Sequence, residues 1–126
     1  TSADDNTALG RSALQENSTG TRNTAVGYAA SLLATGNDNT TVGFSSGSAI
    51  TSGIGNTFLG SKAGDGTDDG DNNVAVGHSA LSANCGDSNV AVGERALELS
   101  TGDENTAVGQ HSAGSNSSGN FNTFVG

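Results

Sequence analysis

Along the chain, Thr or Val, then a mostly small residue, then Val or Leu follow one another inside a five-residue phrase that opens on Asn and closes on Gly. The phrase recurs eight times, starting at Asn6, Asn23, Asn39, Asn56, Asn73, Asn89, Asn105 and Asn122, at intervals of 16 or 17 residues. Alternate residues of a strand share a face, so the second and fourth positions are expected on one side. The fourth column is Leu9, Val26, Val42, Leu59, Val76, Val92, Val108 and Val125. Its unbroken apolar character makes it the expected core. The second column carries Thr in six copies and Val at Val74 and Val90, and β-branched residues of this kind suit a short strand. The third column, Ala8, Ala25, Thr41, Phe58, Ala75, Ala91, Ala107 and Phe124, is expected to face the other way.

A strand of four or five residues in every 16 or 17 predicts an all-β fold, a parallel β-solenoid or β-roll of eight coils. With neighbouring coils hydrogen-bonded at ~4.8 Å, the rod is roughly 38 Å long. Paired-helix repeats need more than about 30 residues per unit, and each Gly inside a helix costs ~1 kcal/mol against Ala. Gly closes every phrase and also stands three residues before Asn in copies two to eight, at Gly20, Gly36, Gly53, Gly70, Gly86, Gly102 and Gly119. These are corner residues: Gly tolerates positive φ, and Asn bonds the backbone locally or the next Asn in a ladder. The eight phrase-opening Asn residues are therefore read as a structural ladder, in preference to a ligand-binding row. A second small column, Ala13, Ala30, Ser46, Ala63, Ala80, Ala96 and Ser112, is expected to be a second strand or an inward corner. Residues 1–126 form one array.

Composition at first opposes this reading. Gly, Ser, Thr and Asn make up about half of the 126 residues, while Leu, Ile, Val and Phe together supply about one in six. With a net charge of −9, that balance is typical of a disordered linker. The fixed register overturns it, because stacked coils bury a continuous narrow core that no single coil could bury. Four Lys and Arg against thirteen Asp and Glu exclude a nucleic-acid footprint. No apolar run approaches the ~18 residues of a membrane span, so no membrane insertion is expected of this segment. The start Thr1-Ser2 reads as a processed or excised end.

The copies Asn73-Val74-Ala75-Val76-Gly77-His78-Ser79-Ala80 and Asn89-Val90-Ala91-Val92-Gly93 resemble the head repeats of trimeric autotransporter adhesins. The fuller phrase, Asn23-Thr24-Ala25-Val26-Gly27-Tyr28-Ala29-Ala30 followed by Ala34-Thr35-Gly36, is similar to repeat arrays of bacterial and phage tail-fibre-domain proteins. The resemblance covers essentially the whole chain. It implies a left-handed roll and a homotrimer, whereas the coil here is longer than in the adhesin heads. Phe58 and Phe124, placed on the outward column, are then candidate interchain contacts, with plain surface exposure as the other reading. The last phrase ends at Gly126, so the array is expected to be a segment of a longer fibre or a subunit stacking head to tail into a filament.

Chemistry-bearing residues are few. Asp65, Asp68, Asp69 and Asp71 crowd one loop and are candidate calcium ligands, since Ca²⁺ takes six to eight oxygens from flexible loops. Their spacing fits neither the EF-hand nor the nonapeptide pattern, and a solvated acidic loop is the competing reading. His78 and His111 sit at different offsets and form no constellation with a nucleophile, so no enzyme is expected. Cys85 reads as a tolerated turn residue, with an interchain disulfide as the alternative. The triplets headed by Asn17, Asn39 and Asn116 match glycosylation acceptors by chance in so Asn- and Thr-rich a chain.

Two function classes follow. The first is an adhesive or structural fibre segment, extracellular, on a cell surface or virion. It would contact a cell-surface or glycan receptor through the variable stretches 28–35, 44–52 and 94–100. The second is a β-solenoid ice-binding protein using the Thr file. Sharing a face with the expected core argues against it, because Thr would then point inward.

Overall fold

A computed structural model describes residues 3–126; the Thr1-Ser2 start lies outside the described residues. The chain winds as a parallel β-solenoid. Each coil contributes one three-residue strand: β1 (Thr7–Leu9), β2 (Thr24–Val26), β3 (Thr40–Val42), β4 (Thr57–Leu59), β5 (Val74–Val76), β6 (Val90–Val92), β7 (Thr106–Val108) and β8 (Thr123–Val125). These form one eight-stranded parallel sheet in sequence order. Equivalent residues are paired throughout, Ala75 with Ala91 and Val76 with Val92, for example. The remainder of each coil is turns rather than a second strand. The second small column is nonetheless an inward corner, with Ala30, Ser46, Ala63, Ala80, Ala96 and Ser112 buried and Ala13 packed against the core.

The sheet presents its third column to the interior. Ala25, Thr41, Phe58, Ala75, Ala91 and Ala107 are buried. The expected core of Leu9, Val26, Val42, Leu59, Val76, Val92, Val108 and Val125 is on the outside instead. Leu9 is 67% exposed, Val125 82%, and Leu59, Val92 and Val108 are exposed as well, while Val26, Val42 and Val76 are half-buried. Phe58 is correspondingly not a surface contact: it is fully buried, and Phe124 packs against the core from the last coil.

The physical reason is the width of the coil. Six residues after the inward strand residue the chain returns across the interior, and the two positions face one another in a narrow space. Ala8, Ala75 and Ala91 are matched by Leu14, Leu81 and Leu97, whereas Phe58 is matched by Gly64. Those Leu residues are buried, and a Cβ built on Gly64 would overlap the Phe58 ring. Where one member of the pair is large the other is small, and the levels of β2, β3 and β7 pair small residues only, Ala25 with Ser31, Thr41 with Gly47 and Ala107 with Ala113; two Val or Leu facing one another would overfill so narrow a coil.

The corners keep the coils at sheet spacing. The closing Gly residues from Gly10 to Gly109 have φ between 126° and 141°, and a Cβ on Gly27 would overlap the carbonyl of Gly43 in the next coil. Further columns are left-handed without Gly, as at Asp38 (φ 61°), Lys62 (φ 58°) and Leu97 (φ 51°). This conformation is unfavourable for L-residues, and it is held by backbone bonds to neighbouring coils. The Asp38 N–H donates to Thr21 O at 3.0 Å, that of Lys62 to Phe44 O at 2.8 Å, and that of Leu97 to Ser112 O at 3.1 Å.

Candidate functional site

The phrase-opening Asn residues form a continuous ladder. Each Oδ1 accepts the backbone N–H of the next Asn, as from Asn39 to Asn23 at 2.9 Å, Asn73 to Asn56 at 2.9 Å and Asn105 to Asn89 at 2.9 Å. The ladder runs from Asn6 to Asn122. From Asn6 to Asn105 each Nδ2 donates to the carbonyl of the Gly that opens the next coil's corner, Asn23 to Gly36 at 2.8 Å and Asn56 to Gly70 at 2.9 Å. From Asn23 to Asn105 the side chains are buried and engaged at both ends. Their polar atoms are thus committed to holding successive coils, which leaves no free edge for a ligand.

The four candidate calcium ligands do not converge. Among the described residues, no three His, Cys, Asp or Glu side chains come together as a metal-binding group. Asp71 Oδ1 accepts the backbone N–H of Ile54 at 2.7 Å, and Asp68 Oδ1 accepts a hydrogen bond from the Thr51 hydroxyl, so both serve coil-to-coil bonding. Asp69 points to solvent. Asp65 is half-buried, and burial raises its carboxyl above the usual aspartate range, partly opposed by Lys62. Asp71, Asp87 and Asp103 stack along one edge. The Asp71 N–H donates to Asp87 Oδ1 and that of Asp87 to Asp103 Oδ1, each at 2.9 Å.

Cys85 occupies a core slot. Its Sγ lies 3.3 Å from the Thr67 hydroxyl, and burial pushes the thiol up to about 11, so the reactive thiolate is suppressed. The turn around it carries Asn84 outside and Cys85 inside. An interchain disulfide through this buried sulfur would require the coil to open.

Two exposed surfaces remain. The first is the outer face of the sheet, an uncharged strip of Thr or Val beside Val or Leu along all eight strands. Charged residues border it, Arg22, Asp38 and Glu104 before the strands and Arg11 and Glu94 after them. The Thr file, expected to point inward with the core, lies on this outer face, with Thr7, Thr40, Thr57 and Thr123 exposed. The second is the column just after the closing Gly: Arg11, Tyr28, Phe44, Ser61, His78, Glu94 and Gln110. Its backbone is tied coil to coil, with Ser45 donating to Tyr28 O and Lys62 to Phe44 O, both at 2.8 Å. The Tyr28 and Phe44 rings stack at 5.3 Å with an interplanar angle of 10°, and the Arg11 guanidinium lies 5.9 Å from the Tyr28 centroid. Tyr28 is 47% exposed and Phe44 52%.

Among the described residues there is no enclosed cavity and no helix long and apolar enough to cross a membrane. His78 and His111 are exposed in separate coils. No family model, curated protein or solved structure matches the chain.

Proposed function

We propose that the array is a rigid segment of an extracellular adhesive fibre, assembled as a homotrimer whose chains meet through the outer faces of their sheets. The outward Val/Leu column is the observation that carries this reading. Eight rungs at ~4.8 Å and three residues of width give a strip of roughly 300–350 Å² in projection. The Val/Leu column runs unbroken through this uncharged strip, and contiguous exposed apolar surface rimmed by polar residues is the kind of surface used for interaction. A second and third copy with the same coil spacing match this strip row for row, and the resemblance to adhesin heads and tail-fibre arrays supports three chains. The acidic edge suits solubility outside the cell.

Sedimentation equilibrium tests the proposal. A trimer mass is expected, and the variant carrying Val92→Lys and Val108→Lys should be monomeric with an unchanged circular-dichroism spectrum. A monomer at all concentrations overturns the trimer, whereas a mass that grows without limit identifies the filament mode. The outward Thr file favours a second reading, ice binding by the same strip, even though Val74 and Val90 interrupt it. Thermal hysteresis at high concentration would support it, and none would remove it.

A further inference from the structure

The column after the closing Gly behaves as a ladder whose neighbouring side chains pair where their chemistry allows. Arg11 lies against Tyr28, Tyr28 stacks on Phe44, and Gln110 Nε2 donates to Glu94 Oε2 at 2.9 Å. The sequence of rungs breaks at Ser61. Backbone bonds hold this rung in register on both sides, Lys62 to Phe44 O at 2.8 Å and Ser79 to Ser61 O at 3.0 Å, so the break is fixed in place. One face of the Phe44 ring is covered by Tyr28, and the next residue of the column on the side away from Tyr28 is Ser61. His78 is the next ring, two coil spacings or about 9–10 Å from the Phe44 rung. That interval leaves room for a single six-membered ring between them.

The geometry points to a binding notch over Ser61 that takes one pyranose ring of a glycan, its C–H face stacked on Phe44. Beyond Phe44 the column continues with a hydroxyl residue at Ser61 and an imidazole residue at His78, in register through the backbone bonds given above. This mixture suits a polyhydroxylated ring, because each sugar hydroxyl needs a donor or acceptor while its C–H face needs apolar contact. The notch is open to solvent, so a single site binds weakly. Three copies on one rigid rod would multiply its effect by raising the effective concentration of the second and third sites. The inference names the receptor class for the fibre reading above and rests on that reading only for its biological role.

Tyr28 is the one Tyr and the chain has no Trp, so intrinsic emission reports directly on the ladder. The experiment titrates the intact chain with methyl β-glucopyranoside, methyl β-galactopyranoside and methyl N-acetyl-β-glucosaminide, with p-cresol as an aromatic side-chain mimic. Tyr emission and the Phe44 ring-proton shifts are the readouts. At least one glycoside is expected to saturate both with a millimolar dissociation constant. Phe44→Ala and Ser61→Phe should each weaken it about tenfold or more, the loss of one stacking contact. Arg11→Ala, on the far side of Tyr28, should bind as the parent does. No response to any glycoside overturns the proposal, as does p-cresol binding alone, which assigns the notch to an aromatic side chain. Parental affinity in Ser61→Phe overturns it too. Sedimentation of the same samples separates the two readings: a monomer that still binds glycoside refutes the fibre assembly and leaves the notch standing.

Discussion

Replacing Phe58 by Ala removes the largest side chain in the interior, one that is fully buried. Phe-to-Ala changes at such sites cost about 3–5 kcal/mol, the lost transfer energy plus the cavity left behind. The cavity here is slow to collapse, because the residues beside the ring, Gly47 and Gly64, have no side chains to move into it. The neighbouring coils show what would fill it. At the level of β5 the inward residue is Ala75 and the returning chain supplies Leu81, buried and left-handed at φ 55°; Gly64 has φ 60°. Gly64→Leu alone should destabilise by about 1–3 kcal/mol or more, since its Cβ would overlap the Phe58 ring. Combined with Phe58→Ala, it rebuilds the Ala/Leu level of the next coil and should recover at least half of the loss. The coupling between the two sites is then about 3 kcal/mol, far outside ordinary additivity. Recovery stays incomplete because the ring also covers Gly47. Urea unfolding followed by circular dichroism, at one fixed protein concentration, measures all four corners of the cycle. A double variant no more stable than Phe58→Ala would refute the idea that positions 58 and 64 share one volume.

Other consequences are open to measurement. Asn56→Ala should lower stability by about 2–4 kcal/mol in urea unfolding, because it leaves the Asn73 N–H and the Gly70 carbonyl buried without partners. Asp65→Asn should stabilise at neutral pH: burial raises the folded-state carboxyl, so its favourable contribution is complete below the ordinary aspartate value of 3.8 and is lost as pH rises through the folded value. The advantage of the Asn variant should therefore vanish on acidification, visible as converging urea midpoints. Cys85 should react with a thiol reagent only as fast as its coil opens, and denaturant should accelerate the reaction steeply.

The repeat, the number of coils and the parallel register were all legible in the spacing of Asn and Gly. The side of the sheet that faces inward was not. Alternation shows that two faces differ, and an unbroken Val/Leu column normally marks the buried one. What decides here is the return stroke of the coil, six residues on. Ala75 with Leu81 and Phe58 with Gly64 conserve the sum of two side chains, and that compensation was present in the letters. The outward place of Val and Leu is not legible from alternation alone, because it depends on the size of the residue that returns across the coil. The spread of the candidate calcium ligands has a related cause. Residues close in sequence around a corner point along the rod to adjacent coils, so Asp68 and Asp71 bond to Thr51 and Ile54 and do not converge on one another.

The Asn ladder also sets how the rod yields to tension. Each rung is bonded to the rungs before and after it and to nothing farther away. A pull on one end therefore concentrates on the outermost coil, which must detach before the next is loaded. Every detachment releases 16 or 17 residues, about 50 Å of slack at full extension. A tether built this way dissipates a sudden load in equal steps, and each lost step is restored by rewinding one coil onto the template that remains.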